Sequence, residues 1–144
     1  MKIKVAWIGK TKEPAIQALT DEYLNRISRY AEVAGLALKD ETAILSLANA
    51  ERQRNKLVLL DARGKQFSSE ELAEFLRREQ VSATPLLFAI GGSDGFSEET
   101  RRHAGFTLSL GKMTLPHELA RVVLVEQLYR AFTILKNHPY HLGH

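Results

Sequence analysis

The chain has 144 residues, 44% of them hydrophobic, which suffices for one core but not two, so a single domain over residues 1–144 is expected. The absence of cysteine excludes disulfides, cysteine-based zinc sites and thiol nucleophiles, and fits a reducing cytoplasm. The net charge of +3 is unevenly spread: residues 1–99 hold 14 Lys and Arg against 15 Asp and Glu, whereas residues 100–144 hold 6 against 2 and all five histidines. A basic C-terminal third suggests a nucleic-acid partner, although a solvated cationic face explains the same numbers equally well.

The N-terminal "KIKVAWI" alternates polar and apolar residues as a strand does, and lacks the apolar run and cleavage site of a signal peptide. "GKTKEP" then turns the chain into a helical pattern from Pro14 to Tyr30. "GLALKD" reads as a short strand and "ETAILSLANAERQR" as a helix. "KLVLLDARG", residues 56–64, is a buried strand leaving by a glycine turn. In "SSEELAEFLRRE", Ser68 and Glu71 make a capping box that opens a helix. The continuous apolar run "LLFAI" after Pro85 is expected of a central parallel strand covered on both faces. Ser97 caps the next helix, with Glu98 and Glu99 in its first turn against the macrodipole. A last short strand, "FTLSL", leads through "GKMTLP" to a helix from His117 to Lys136.

Strands alternating with helices define the α/β class, a mostly parallel sheet with helices on both faces. Arg121, Glu126 and Arg130 are too costly in a bilayer core for the last helix to span a membrane. That helix is apolar on more than one face, so it lies deep in the monomer or at a subunit interface. The polar ridge of Glu126 and Arg130, an i,i+4 pair, favours the interface.

Ligands of open parallel sheets bind beyond the carboxyl ends of the strands. Three loops qualify: "LLDARGK" (59–65), "AIGGSDGFS" (89–97) and "SLGKMTLP" (109–116). Gly91, Gly92 and Gly95 allow close approach of backbone amides to a ligand. Neither the dinucleotide glycine fingerprint nor a phosphate-binding P-loop is present, which disfavours dinucleotides and triphosphates. An adenosine without phosphates suits the loops better, its ring sandwiched by Leu60, Ile90, Met113 and Leu115. His138, His141 and His144 invite a metal reading, but Pro139 opposes helical geometry at His138, and no carboxylate lies near in sequence, so no metal is expected. A Ser-His-Asp hydrolase is disfavoured because no nucleophile elbow surrounds Ser93.

"LLFAIGGSDGFSEE", "LGKMTLPHELARVVLVEQLYRAFTI" and "NHPYH", with "KIKVAWIGK" and "VLLDARGK", resemble the RlmH family of the SPOUT superfamily. The likeness extends over the chain and is least clear at 31–55. It implies a homodimeric α/β fold with a C-terminal trefoil knot. It also implies an S-adenosylmethionine-dependent methyltransferase acting on N3 of a pseudouridine in 23S rRNA of the assembled ribosome. Carried over residue by residue, the cofactor contacts are Leu60, Gly91, Leu110, Gly111, Lys112, Met113, Thr114 and Leu115, with Gly92 and Gly95 as supports. The acceptor nitrogen is protonated at neutral pH, so a base or a charge that stabilises the deprotonated ring is required. His117, Arg130, Tyr140 and His141 are the candidate catalytic residues, and Arg121 is a further cation. Tyr140 and His141 are expected over the methyl donor, in their own subunit or the partner's, turned there by Pro139. The final "LGH" is expected to fray. The rival reading is a non-catalytic ribosome- or RNA-binding protein that uses the basic C-terminal third as a phosphate-binding face.

Overall fold

The structure, a computed structural model, describes residues 1–50 and 54–143. Five strands, β1 (Lys2–Ile8), β2 (Glu32–Leu38), β3 (Lys56–Gln66), β4 (Leu86–Ile90) and β5 (Phe106–Ser109), form one sheet in the order β2-β1-β4-β3-β5, with every pairing parallel. Between and after them run α1 (Pro14–Ile27), α2 (Glu41–Ala48), α3 (Ser69–Ser82), α4 (Glu98–Arg102) and α5 (His117–Leu135), and residues His141–Gly143 form a 3-10 turn.

All five residues of β4 are buried because both faces of the sheet are covered. Val5, Val58, Leu86 and Phe88 pack with α1, α3 and α5 in one cluster. Ala6, Leu57, Leu87 and Ala89 point the other way, onto Ile44 and Ala48 of α2 and onto Phe96. The two sets alternate along the strands, as a pleat requires. Helix α5 lies between α1 and α3, with Leu124, Leu128 and Phe132 wholly buried, each worth about 1.5–3 kcal/mol. The monomer therefore absorbs most of the apolar surface of α5. On that helix Leu119 and Val123 stay 47% and 36% exposed.

Several boundaries differ from the sequence pattern for identifiable reasons. Helix α1 stops at Ile27, because the Tyr30 amide turns back to the Ile27 carbonyl and the Tyr30 ring stacks on Phe132. Strand β2 begins at Glu32, earlier than "GLALKD", and Gly35 lets it lie under Leu24 and Trp7. Helix α2 ends at Ala48, where Asn55 closes it by bonding the carbonyls of Ala48 and Leu47. The helical pattern read through residue 54 crosses 51–53, which lie outside the described residues. Strand β3 runs to Gln66 with a large irregularity: Leu60 and Lys65 both pair with Leu108, so residues 61–64 loop out of the ladder. The capping box of Ser68 and Glu71 and the cap at Ser97 form as expected.

Gly64 closes the irregularity by pressing its Cα against β5. A Cβ there would lie 2.6 Å from the Thr107 carbonyl oxygen, a backbone atom that cannot step aside. Gly64→Ala is expected to cost about 1–3 kcal/mol, seen as a lower urea midpoint. An unchanged midpoint would mean that β3 and β5 are less closely apposed than described.

Candidate active site

The carboxyl ends of β3, β4 and β5 and the first turn of α5 surround a cavity of about 330 Å³. Strand β3 contributes Leu60 and, from its looped-out segment, Asp61 and Ala62. Beyond β4, Ile90 leads into the "GGSDG" turn, in which the Gly95 amide bonds the Gly92 carbonyl and Gly95 takes a φ of +72°. A Cβ on Gly91 would crowd the Gly95 backbone at 3.2 Å. The chain after β5 is shaped by Ser109, whose buried hydroxyl donates to the Gly111 carbonyl (2.9 Å) and accepts from the Gly111 amide (3.1 Å). That turn holds Gly111 at φ +132°, in the region that favours glycine.

Of the eight cofactor positions inferred from the resemblance, Leu60, Gly91, Leu110, Gly111, Met113, Thr114 and Leu115 line this cavity, while Lys112 is exposed and does not. Ile90, the fourth of the apolar residues expected around an adenine, lines it as well. Sequence reasoning missed Asp61 and Arg101. Arg101 Nη2 lies 3.0 Å from Asp61 Oδ2, and Asp61 Oδ1 accepts the Arg63 amide at 2.9 Å. The acid stood in a chosen loop, but its partner lies 40 positions away on α4, beyond the reach of any local pattern. The Arg101 Nε is buried without a partner among the described residues, while the residue's side chain lines the cavity beside Asp61.

The four candidate catalytic residues fall into two places. His117 lines the cavity. Arg130 is 13 residues further along α5, about 20 Å at helical rise, and gathers Tyr140 and His141 around itself. Its guanidinium pairs with Glu126 at 2.8 Å and meets His141 Nδ1 at 3.0 Å. Since arginine can only donate, Nδ1 accepts, which puts the imidazole proton on Nε2, facing Glu70 at 2.7 Å. The Tyr140 hydroxyl donates to Glu126 (3.0 Å), and its ring sits edge-on to Tyr129. Burial first, then Tyr23 and Glu126, push the Tyr140 phenol above its ordinary pKa, so it is a hydrogen-bond donor at neutral pH. In its own subunit the tail thus does not reach the cavity.

Two further expectations are corrected. Helix α5 ends at Leu135 and the chain turns at Asn137, before Pro139: Asn137 is left-handed (φ 56°), its amide bonds the Ile134 carbonyl and the His138 amide bonds the Thr133 carbonyl, a Schellman closure. Leu142 and Gly143, expected to fray, belong to the terminal 3-10 turn, and His144 lies outside the described residues. Among the described residues no group of three His, Cys, Asp or Glu could hold a metal, and no helix is long and apolar enough to cross a membrane.

Arg121 is no free cation. It is 1% exposed, its guanidinium carbon lies 4.0 Å from the centre of the Trp7 ring, and it donates to Thr11 Oγ1 at 2.8 Å. Burial lowers its pKa. One turn earlier, Glu118 accepts the amides of Lys12 (3.0 Å) and Glu13 (3.3 Å).

A parallel sheet with its cavity at the carboxyl ends, walled by an apolar and glycine-shaped loop, defines an α/β protein with a ligand site beyond its strand ends. The chain matches the family described as predicted SPOUT methyltransferase over residues 1–141. It is 59% identical to ribosomal RNA large subunit methyltransferase H of Koribacter versatilis, over all of both chains, and 42% identical to that of Geobacter sulfurreducens, over 98% of this chain and 99% of the relative. In fold it is similar to the SpoU methyltransferase AviRb of Streptomyces viridochromogenes, solved with AdoMet. There the TM-score is 0.55 at 15% identity, over 90% of this chain and 57% of that one. The chain belongs to the SPOUT methyltransferases and, within them, to the ribosomal RNA large subunit methyltransferase H family.

The Lys12 amide above all, with Glu13 and the nearby Arg121, holds the Glu118 carboxyl below its ordinary value of 4.5. A depressed carboxyl stabilises the fold above that value, and the contribution disappears as pH falls through its lower folded-state value. Glu118→Gln should therefore be less stable than wild type at pH 7, with the gap in urea midpoint closing toward pH 3. Glu70 and Glu74, also depressed, are common to both proteins and cancel. A gap that does not depend on pH would show that the ionised carboxylate is not what holds the loop.

Proposed function

We propose that the protein is a cytoplasmic homodimer, its C-terminal chain threaded as a trefoil knot, that transfers a methyl group from S-adenosylmethionine to N3 of a pseudouridine in 23S rRNA of the assembled ribosome. The observation that carries this reading is the convergence of seven of the family's eight cofactor positions on one cavity. The residues fit the cofactor. Leu60, Ile90, Met113 and Leu115 offer apolar faces to an adenine, the glycine turns bring backbone donors and acceptors to its edge, and Asp61 and Arg101 add a polar lining. When bound, the cofactor supplies an electrophilic methyl group on a sulfonium.

What the chain itself must do is place the acceptor base, exclude water and accept or offset the N3 proton. His117 is the imidazole at the cavity. The cluster of Arg130, Tyr140 and His141 supplies a cation, a phenol donor and a second imidazole, positioned by Glu126 and Glu70. Since that cluster lies about 20 Å down α5 from its own cavity, we assign it to the partner's cavity, where it holds the target base. Leu119 and Val123, the exposed apolar residues of α5, are placed for that subunit contact.

The test is methyl transfer from labelled S-adenosylmethionine to intact ribosomes, isolated large subunits and free rRNA. Transfer is expected on the intact ribosome. Binding of ribosomes without cofactor binding or transfer would make the protein a non-catalytic ribosome-binding factor. Gly111→Ala gives a sharper check on the cavity. No atom lies within 4 Å of the added Cβ, so only the φ of +132° opposes it. Calorimetry should find S-adenosylmethionine affinity about tenfold weaker, roughly 1.4 kcal/mol, and an unchanged affinity would remove this loop from the cofactor site.

A further inference from the structure

We infer that the segment joining β1 to α1, residues 9–13, is a rigid phosphate-binding rim of the active site, on which Lys10 and Lys12 take backbone phosphates of the RNA beside the target nucleotide. The inference rests on the RNA-methylating reading above and names a surface that neither the cofactor cavity nor the tail supplies.

Placement comes first. Trp7 of β1 pairs with Ile90 of β4, and Ile90 lines the cavity. The segment therefore leaves the sheet one strand, about 4.8 Å, from the cavity wall and at the same end of the sheet. Lys112, exposed on the loop after β5, lies in the chain between Gly111 and Met113, which line the same cavity.

Rigidity comes next. The segment has no regular secondary structure, yet it is tied down along its length. The Gly9 amide bonds the Leu38 carbonyl at 2.9 Å. The Thr11 hydroxyl is held by Arg121, and the amides of Lys12 and Glu13 are held by Glu118. Both holders are buried, Arg121 at 1% and Glu118 at 9% exposure. Taking a guanidinium out of water costs several kcal/mol before its partners offset it.

Charge is the third observation. Lys10 and Lys12 are exposed, and neither takes part in an ion pair among the described residues. In the C-terminal third, Arg101 is held by Asp61 and Glu98, Arg121 by Thr11 and Trp7, and Arg130 by Glu126, whereas Arg102, Lys112 and Lys136 are exposed. Lys10 and Lys12 are the exposed cations on a segment beside the mouth, and its fixed backbone spares them part of the ordering cost of binding. Lysine meets phosphate as a point charge, so the contact adds affinity and register without reading sequence.

The test compares the full-length protein with Lys10→Gln/Lys12→Gln, measuring ribosome binding by co-sedimentation, methyl transfer, and S-adenosylmethionine affinity by calorimetry. The double variant is expected to bind ribosomes about tenfold more weakly and to raise KM by a similar factor, with cofactor affinity within twofold of wild type. Its plot of log affinity against log salt should be shallower by about 1–2, as loss of two phosphate contacts requires. Thr11→Val, which keeps both charges and frees the segment, is expected to raise KM about threefold at an unchanged salt slope. Unchanged ribosome affinity in the double variant, weaker binding at an unaltered salt slope, or loss of cofactor affinity instead would each overturn the rim. If wild type binds ribosomes with this lysine dependence but transfers no methyl group, the catalytic reading fails while the rim stands.

Discussion

A guanidinium laid on an indole ring fixes the start of α5. Arg121 covers Trp7 and holds Thr11, while Glu118 takes two amides of the same segment. A desolvated cation–π contact is worth about 2 kcal/mol, and Glu118 adds a nearby opposite charge. Together they offset the burial that depresses the arginine's pKa. Because α5 cannot slide along the sheet, the loop between β5 and α5 must close over the ends of β3 and β4. The cavity is the space left under that loop, and Ser109 and Gly111 settle its shape.

The same helix sets a second constraint through its length. Nineteen residues put its two ends about 28 Å apart, with the cavity at the first turn and the Schellman closure at the last. The tail that follows folds back only as far as Glu126 and Arg130. A cofactor cavity at one end and a phenol, an imidazole and a guanidinium well down the helix can serve one reaction only if two copies are brought together. That separation favours a site shared between subunits, independently of the exposed Leu119 and Val123.

Much of this was legible in the sequence, wherever the signal was local. "LLFAI" announces a strand covered on both faces, Ser68 and Glu71 a capping box, and the three strand-end loops contribute to the cavity wall. What the sequence hid was non-local or a matter of partners. A greasy helix can be buried by its own chain or by another, and periodicity does not say which; α1 and α3 cover most of α5. Arginines read as surface charge, but Arg101, Arg121 and Arg130 in the basic third are held within the chain, by Asp61 and Glu98, by Thr11 and Trp7 and by Glu126. Pro139 drew attention as a helix breaker, whereas the chain had already turned at Asn137, whose left-handed backbone leaves only a weak trace in sequence. The bulge that lifts Asp61 into the cavity depends on pairing with β5 and has no local signature.

The central claim is that the cavity at the ends of β3, β4 and β5 receives the methyl donor. Backbone amide shifts recorded while S-adenosylhomocysteine is added to the isotope-labelled protein test it most directly. The account predicts the largest changes at Gly91, Gly92, Gly95, Gly111 and Thr114, with little change at the sheet's opposite end near Thr84. Absence of saturable shifts, or shifts centred away from these glycine loops, would contradict it.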